Sequence, residues 1–467
     1  MSRAMRLYHA APVWAQNAAL SAYGLRLRVL RYGREERRVS ARLREMEWWP
    51  AERLEAYQRD ELSALLRHAT LNVPFYRERG LRPATMEDAM SSLRELPVLT
   101  KAEVQRAGRV LIADQYRDRR LEEIHTGGTT GTPLAVYCDS QVLQRNYAFF
   151  ERFKRSAGVR AGARVATFAG RPLVPPDSNG PFWRHNFASN QLLCSSYHIA
   201  PATIGSYVDA LARFGPELID SYPSNLEPLA RHIVATGDER LRPRAVITSS
   251  ETLFPEVRAL AERAFGCPVV DHYGGAEMVA FVTQCAHGGY HVNQEYGVLE
   301  LLVDGRPAEP GETGEIVATG FINPVMPLLR YATGDFATLA KGRCACGRQS
   351  LCLERIEGRM DDVIETPEGR LVGRIDPIFK AVSSLHETQV IQDAIDHVRV
   401  EVVAGDIAQH ELDELAAQLR LRLGPTMRID IVRVSRIERT ARGKLRTVVN
   451  LMRRRAPAPA AEAPQAR

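Results

Sequence analysis

The stretch His125-Thr126-Gly127-Gly128-Thr129-Thr130-Gly131-Thr132-Pro133 decides how this chain is read. Glycine lets a backbone turn tightly enough for several N–H groups to converge on one anion, and threonine adds hydroxyl donors with little bulk. Such a loop suits the phosphates of a nucleotide. It is not the P-loop pattern, which carries a lysine after its last glycine, because Thr132 stands at that place. Taken alone, a solvated turn reads the same way, so the assignment depends on the residues further along the chain.

Downstream lies an ordered series of polar clusters. Ile247-Thr248-Ser249-Ser250-Glu251-Thr252-Leu253 comes first, then Asp271-His272-Tyr273-Gly274-Gly275-Ala276-Glu277, then Tyr331-Ala332-Thr333-Gly334-Asp335. Gly358-Arg359-Met360-Asp361-Asp362 and, near the end, Arg442-Gly443-Lys444 complete the set. Each cluster is weak alone; their order and spacing carry the weight. In these residues the chain resembles the adenylate-forming (AMP-binding) superfamily, and most closely its phenylacetate-CoA ligase-like group with the CapK branch. The resemblance runs from about residue 48 to about residue 450. It implies an α/β fold: a large N-terminal adenylate-forming domain with mixed β-sheets and helices, followed by a small, mobile C-terminal α+β domain.

Size and composition agree with this. A chain of 467 residues is long enough for two or more domains. No run of 18 or more apolar residues exists, so no membrane-spanning helix is expected. The opening Met1 to Gly24 is too polar at Trp14-Ala15-Gln16-Asn17 for the core of a signal peptide and reads as a short amphipathic helix. These features point to the cytoplasm. With Arg26, Arg28, Arg31, Arg34, Arg37 and Arg38 behind it, the basic segment 1–47 is either a solvated helix face or a weak contact for an anionic membrane surface. The net charge of +6 is spread along the chain without interleaved aromatics, which argues against nucleic acid and for a nucleotide or polyphosphate.

Periodicity gives the outline. Residues 49–80 alternate apolar and charged positions with helical spacing, and a helical layer is expected there. Strands are expected at Arg164–Phe168, Ala245–Thr248, Pro268–Val270, Val298–Leu302 and Glu315–Thr319, with helices at Ile204–Phe214 and Pro255–Phe265 between them. Alternation of this kind places ligands at the carboxyl ends of the strands. The large ATP- and acyl-binding domain is therefore drawn over 48–357 and a small lid over 358–455, with strands near Thr388–Ile391, His397–Val403 and Met427–Val434 and a helix at Ile407–Leu423. Residues 456–467 form an Ala/Pro-rich tail that cannot build a core.

The resemblance also assigns roles. A substrate carboxylate would attack the α-phosphorus of ATP, giving an acyl-adenylate and pyrophosphate, so positioning and charge neutralisation dominate. Thr126, Gly127, Gly128, Thr129, Thr130 and Gly131 would hold the β- and γ-phosphates, one cation short because Thr132 replaces a frequent lysine. Ser249, Ser250, Glu251, Tyr273 and Gly274 would line the adenine site, and Glu277 would hold Mg²⁺. Asp335 would accept from both ribose hydroxyls, Arg359 would sit near the ribose and α-phosphate, and Asp361 would be the hinge of the small domain. Lys444 would bring an ammonium to the α-phosphate and carboxylate. His198, Tyr222, Pro223 and Ser224 lie where an acyl pocket would form.

Two points stay open at this level. Among seven cysteines, Cys285, Cys344 and Cys346 with His291, or alternatively His287, have the donor set of a structural Zn²⁺ site, while unliganded surface thiols are the plainer reading; Cys352 is expected in the core. The acyl acceptor is expected to be the thiol of coenzyme A. Yet Asp362 is followed by Val363-Ile364-Glu365-Thr366-Pro367-Glu368-Gly369-Arg370, which reads as a polar hairpin where the CoA ligases of this group carry a glycine-rich loop. An amine, a carrier thiol or a sugar-linked acceptor fits as well, and a non-catalytic nucleotide-binding scaffold is the remaining alternative, opposed by Glu277 and Lys444.

Overall fold

The computed structural model describes the chain except residues 1–2, 82–87, 127–133, 170–172, 176–177, 197, 200–201, 360–362, 368–370, 374, 376–377, 380–383, 405–406, 438–447 and 455–467. Two compact units result, one built mainly from residues up to Ile356 and the other mainly from Glu357 onward.

The larger unit centres on a sheet of thirteen described strands. After the hairpin of β1 (Glu122–His125) and β2 (Ala135–Cys138) come β3 (Val165–Ala169), β4 (Trp183–Asn186), β5 (Gln191–Ser195), β6 (Leu218–Ser221), β7 (Ala245–Ser249) and β8 (Val269–Gly274). They are followed by β9 (Phe281–Gln284), β10 (Tyr290–Val292), β11 (Gly297–Val303), β12 (Arg306–Pro307), β13 (Thr313–Gly320), β14 (Tyr331–Leu339) and β15 (Cys352–Arg359). The order across the sheet is β12-β11-β13-β14-β15-β10-β9-β8-β7-β6-β3-β5-β4. Strands β5, β3, β6, β7 and β8 run parallel. Antiparallel pairing resumes at β9.

The parallel stretch is where the sequence shows short continuous apolar runs, because helices cover both faces. Helices Pro223–Thr236 and Pro255–Phe265 each open on a proline and stop at a left-handed glycine, Gly237 at φ 65° and Gly266 at φ 64°. Their inner faces bury Leu226, Leu229, Ala261 and Phe265 against Ala166, Ile219 and Val246 of the sheet. Each large side chain so buried contributes about 1.5–3 kcal/mol of transfer free energy. The expected helices Ile204–Phe214 and Pro255–Phe265 form at their expected bounds. The expected strand at Pro268–Val270 instead runs on to Gly274, through the polar cluster.

At the N-terminus one expected helix is two, Arg3–Ala10 and Val13–Arg31, separated at Pro12. The second turns polar groups inward. Asn17 Oδ1 accepts from the His185 N–H at 3.0 Å, Ser21 Oγ accepts from the Phe187 N–H at 3.0 Å, and Gln16 accepts from Arg184. A Cβ at Gly24 would lie 2.3 Å from Asn186 Oδ1, so a larger residue there would force that buried amide to move.

In the smaller unit, β16 (Val363–Glu365) pairs antiparallel with β17 (Leu371–Gly373), as the expected hairpin. A four-stranded sheet follows, β20 (Arg428–Arg433), β19 (His397–Ala404), β18 (Leu385–Ala394) and β21 (Val448–Asn450). Helix Gln409–Leu423 closes its core with Leu415, Leu419 and Leu423 against Val390, Val398 and Val400.

Candidate active site and metal centre

The ends of the parallel strands collect the candidate residues of the larger unit. His198 follows β5, Tyr222 and Pro223 follow β6, Ser249 closes β7, and Tyr273 and Gly274 close β8. Consecutive parallel strands all point their carboxyl ends one way, so these residues share one edge. Ser250, just past β7, sits at φ 64°, a left-handed conformation costly for a residue with a Cβ and typical of functional turns.

Two hydrogen bonds draw the antiparallel half of the sheet to this edge. The Tyr273 hydroxyl donates to Thr333 Oγ1 at 3.2 Å, and Thr333 in turn donates to the Ile316 carbonyl at 3.0 Å. Strands β9, β10 and β15 lie between β8 and β14 in the sheet, so this contact requires a sharp bend between them. The Tyr331 hydroxyl donates to Glu277 Oε1 at 3.3 Å. The other carboxylate oxygen, Oε2, lies 2.3 Å from where a Cβ at Gly275 would be, so a larger residue there would push the folded-back acid aside. Glu277 and Asp335 are both half-buried, on the turn after β8 and on β14.

Below the edge, Asp271 is buried and accepts from Thr248 Oγ1 at 2.6 Å and from the Tyr290 hydroxyl at 3.0 Å. Burial raises its carboxyl to about 6 in spite of these donors. Its neighbour His272 packs among Phe281, Phe150 and Phe153, and its Nε2 has no hydrogen-bond partner among the described residues. Burial lowers that imidazole to about 3, so it is neutral. His272 Nε2 and the Ala280 carbonyl leave 3.0 and 3.1 Å to a Cβ at Gly274, which explains the first glycine of the cluster.

Thr126 is buried, and its hydroxyl oxygen accepts from the Leu134 N–H at 3.0 Å while its own N–H donates to the Leu134 carbonyl at 3.0 Å. These two bonds pin the base of the glycine-rich loop. Gly127, Gly128, Thr129, Thr130 and Gly131, together with Asp361 and Lys444, lie outside the described residues, and Arg359 is placed as the last residue of β15 by its backbone. His198 is held by Ser195 Oγ at Nδ1, 2.8 Å, and by the Pro175 carbonyl at Nε2, 3.0 Å, with Phe182 stacked on its ring. The roles of Tyr331, Thr333, Thr248 and Tyr290 escaped sequence reasoning. Thr248, Tyr331 and Thr333 stand inside quoted clusters, and the signal for the last two was the spacing of hydroxyls at alternate strand positions.

The cysteine group assembles from two turns. Cys285 caps a turn after β9 in which its N–H donates to the Gly289 carbonyl at 3.0 Å and its carbonyl accepts from Gly288 N–H at 2.9 Å. Cys344 and Cys346 stand in the turn between β14 and β15, where Gly347 N–H reaches the Cys344 carbonyl at 3.3 Å. His291, on β10, completes a group whose ligand atoms all lie within 4.8 Å of one another; His287 is exposed and not part of it. The Cys285 and Cys344 sulfurs are 3.5 Å apart, and Cys346 Sγ is 3.2 Å from His291 Nε2. A zinc tetrahedron with bonds of about 2.3 Å has edges of about 3.8 Å, so this donor set fits the ion with little movement. Gly289 makes room, since a Cβ there would meet Cys344 Sγ at 2.8 Å. Burial and the Arg348 charge lower His291 to about 4, the neutral form that ligates, and Ser350 lies 3.2 Å from its Nδ1. Cys352, expected in the core, is half-buried beside this group, its thiol raised to about 12 by burial.

The sequence pattern of the CapK C-terminal domain matches residues 364–451. Protein CapK of Staphylococcus aureus is 27% identical over 454 residues, covering 95% of this chain and 98% of that protein. Phenylacetate-coenzyme A ligase of Thermus thermophilus is 24% identical over 446 residues, 87% of this chain and 98% of that protein. Among solved structures, 2-hydroxyisobutyryl-CoA ligase in the postadenylation state with R3-HIB-AMP superposes with a TM-score of 0.65 at 21% identity, covering 87% of this chain and 91% of that one. The resemblance read from the six clusters is thereby borne out: the chain is similar to protein CapK over 95% of its length, matches the CapK C-terminal domain at residues 364–451 and has the fold of the adenylate-forming CoA ligases.

Proposed function

We propose that this chain activates a carboxylic acid with ATP, releasing pyrophosphate, and passes the acyl group to the thiol of coenzyme A. The observation that carries the reading is the convergence of Tyr273, Thr333, Tyr331 and Glu277 at one strand edge, in a chain alike over nearly its whole length to phenylacetate-CoA ligases. A carboxylate oxygen bonds to the α-phosphorus as the bond to pyrophosphate breaks. Thr126 to Gly131 hold the leaving phosphates, Lys444 and Arg359 offset charge at the α-phosphate, and Asp335 takes the ribose hydroxyls. Ser249, Ser250, Glu251, Tyr273 and Gly274 line the adenine. A half-buried single carboxylate such as Glu277 suits Mg²⁺, which takes its remaining ligands from phosphate and water. Asp361 is the hinge of the small unit. The Cys285, His291, Cys344 and Cys346 group holds a zinc ion that ties two turns of the sheet together and takes no part in the chemistry. The reaction takes place in the cytoplasm, with the basic N-terminal helices as the surface nearest a membrane.

The hairpin of β16 and β17 favours a second acceptor class, an amine or sugar-linked group of polymer assembly, because the CoA ligases this chain resembles carry a glycine-rich thiol-tunnel loop at that place. Pyrophosphate exchange with a panel of aliphatic and aromatic acids tests the first half-reaction, and AMP release with and without coenzyme A tests the second. Exchange with none of the acids would remove the adenylation reading; exchange without CoA-dependent AMP release would leave the second acceptor class.

A further inference from the structure

The helix Val13–Arg31 carries apolar side chains on both faces, with Leu20 packed inward beside Leu173, Val174 and Leu193. Its inward face carries Gln16 and Asn17, hydrogen-bonded to Arg184 and His185, while Trp14, Ala18, Ala22, Leu25 and Val29 face outward. At about 100° per residue these five fall within an arc of about 80°. Trp14 is 74% exposed, Leu25 57% and Val29 68%, and Leu7 of the preceding helix is 66% exposed. Isolated exposed apolar residues are ordinary, but a helical stripe of them is not.

Charge says what covers the stripe. Arg26 and Arg28 flank it on either side, each about 80° from its centre. Arg26 meets Glu122 at 3.4 Å and Arg28 donates to the Ala188 carbonyl at 3.2 Å, both at exposed positions that leave most guanidinium N–H groups available. Before Glu35 the sequence holds six arginines, at 3, 6, 26, 28, 31 and 34, and no acidic residue. We propose that this face docks the protein on an anionic lipid bilayer, with Trp14, Leu25 and Val29 at the level of the acyl boundary and the flanking arginines on lipid phosphates. That is the arrangement of helices lying in a membrane interface. None of the described helices is long and apolar enough to cross a membrane, so the contact is peripheral. A second copy fits poorly, because a two-fold contact through this face would set arginine against arginine.

The full-length protein is sedimented with phosphatidylcholine vesicles, with or without phosphatidylglycerol. The expected result is binding to the anionic vesicles that weakens with salt. Trp14→Ser with Leu25→Ser and Val29→Ser should lower it by about tenfold or more, and Arg26→Gln with Arg28→Gln by about tenfold on anionic vesicles. Both variants should melt at the wild-type temperature, because all five side chains are exposed. Absence of wild-type binding, or wild-type binding by the triple variant, overturns the proposal. So does a wild-type dimer that the triple variant splits into monomers.

Discussion

The Cys285, His291, Cys344 and Cys346 group brings four donor atoms within 4.8 Å of one another, whereas at the strand ends single hydrogen bonds link Tyr273 to Thr333 and Tyr331 to Glu277. The first set is closed: its sulfurs and imidazole already stand at about the edge lengths of a tetrahedron. The second is open, with hydroxyls and a carboxylate steadied by neighbours and directed to an edge of the sheet. A closed set is a structural element, so damage to it should appear in stability; an open set should lose catalysis while the fold persists.

The largest expected effect is on the open side. Lys444→Ala should lower carboxylate-dependent pyrophosphate exchange by about 10²-fold or more, the usual scale for removing a preorganised charge contact, and leave the melting temperature unchanged. Wild-type exchange in that variant would remove Lys444 from the reaction. On the closed side, protein purified without added metal should carry about one zinc per chain. Cys344→Ser with Cys346→Ser should release the zinc and lower the melting temperature by about 5 °C or more. A zinc-free wild-type protein, or a double variant that keeps its metal and its melting temperature, would show that the cluster is a set of neighbouring thiols and nothing more.

A smaller effect sharpens the contrast. Tyr331→Phe removes one hydrogen bond from Glu277, and a hydrogen bond to a charged group contributes about 1.5–3 kcal/mol. Part of that is recovered from water at this half-buried site, so exchange should fall by about fivefold at limiting Mg²⁺ and by less at saturating Mg²⁺. An effect independent of Mg²⁺ concentration would mean that Tyr331 does not act through Glu277.

The two regions also differed in how well the sequence disclosed them. The four clustered donor residues were legible because sulfur and imidazole are scarce and their spacing is local: Cys344 and Cys346 share one turn, and Cys285 and His291 stand six positions apart on a turn and the strand after it. The strand edge was legible as a set of clusters, since parallel strands buried on both faces give continuous apolar runs that end in polar residues. What stayed hidden was every contact made by the bending of the sheet. Tyr273 and Thr333 are 60 positions apart with three strands between them in the sheet, and no local pattern encodes that approach. The outward course of the apolar stripe on Val13–Arg31 was hidden for a related reason: periodicity marks an apolar stripe but not the side that faces the protein. Only Asn17, Gln16 and Ser21 meeting β4 and the turn after it settle it.

The smallest expected effect concerns Asp271 and His272, which lie side by side under the strand edge and pull stability in opposite directions with pH. Asp271 is raised to about 6 by burial, so the folded state binds more protons than the unfolded chain, and its contribution is full at low pH and lost as pH rises from about 4 through 6. His272 is lowered to about 3 by burial, so the unfolded chain binds more protons, and stability is lost as pH falls from 6.5 toward 3. Between pH 4 and 6 the two slopes largely cancel, each being at most about 1.4 kcal/mol per pH unit. His272→Leu keeps an apolar side chain against Phe281 and Phe150 but removes the titrating ring. The variant should then be more stable at pH 5 than at pH 7, relative to the same comparison in the wild type, as read from denaturant midpoints. An identical pH 5 to pH 7 difference in both proteins would show that His272 already titrates in the folded state as it does in water, and that the apolar cage around it is open.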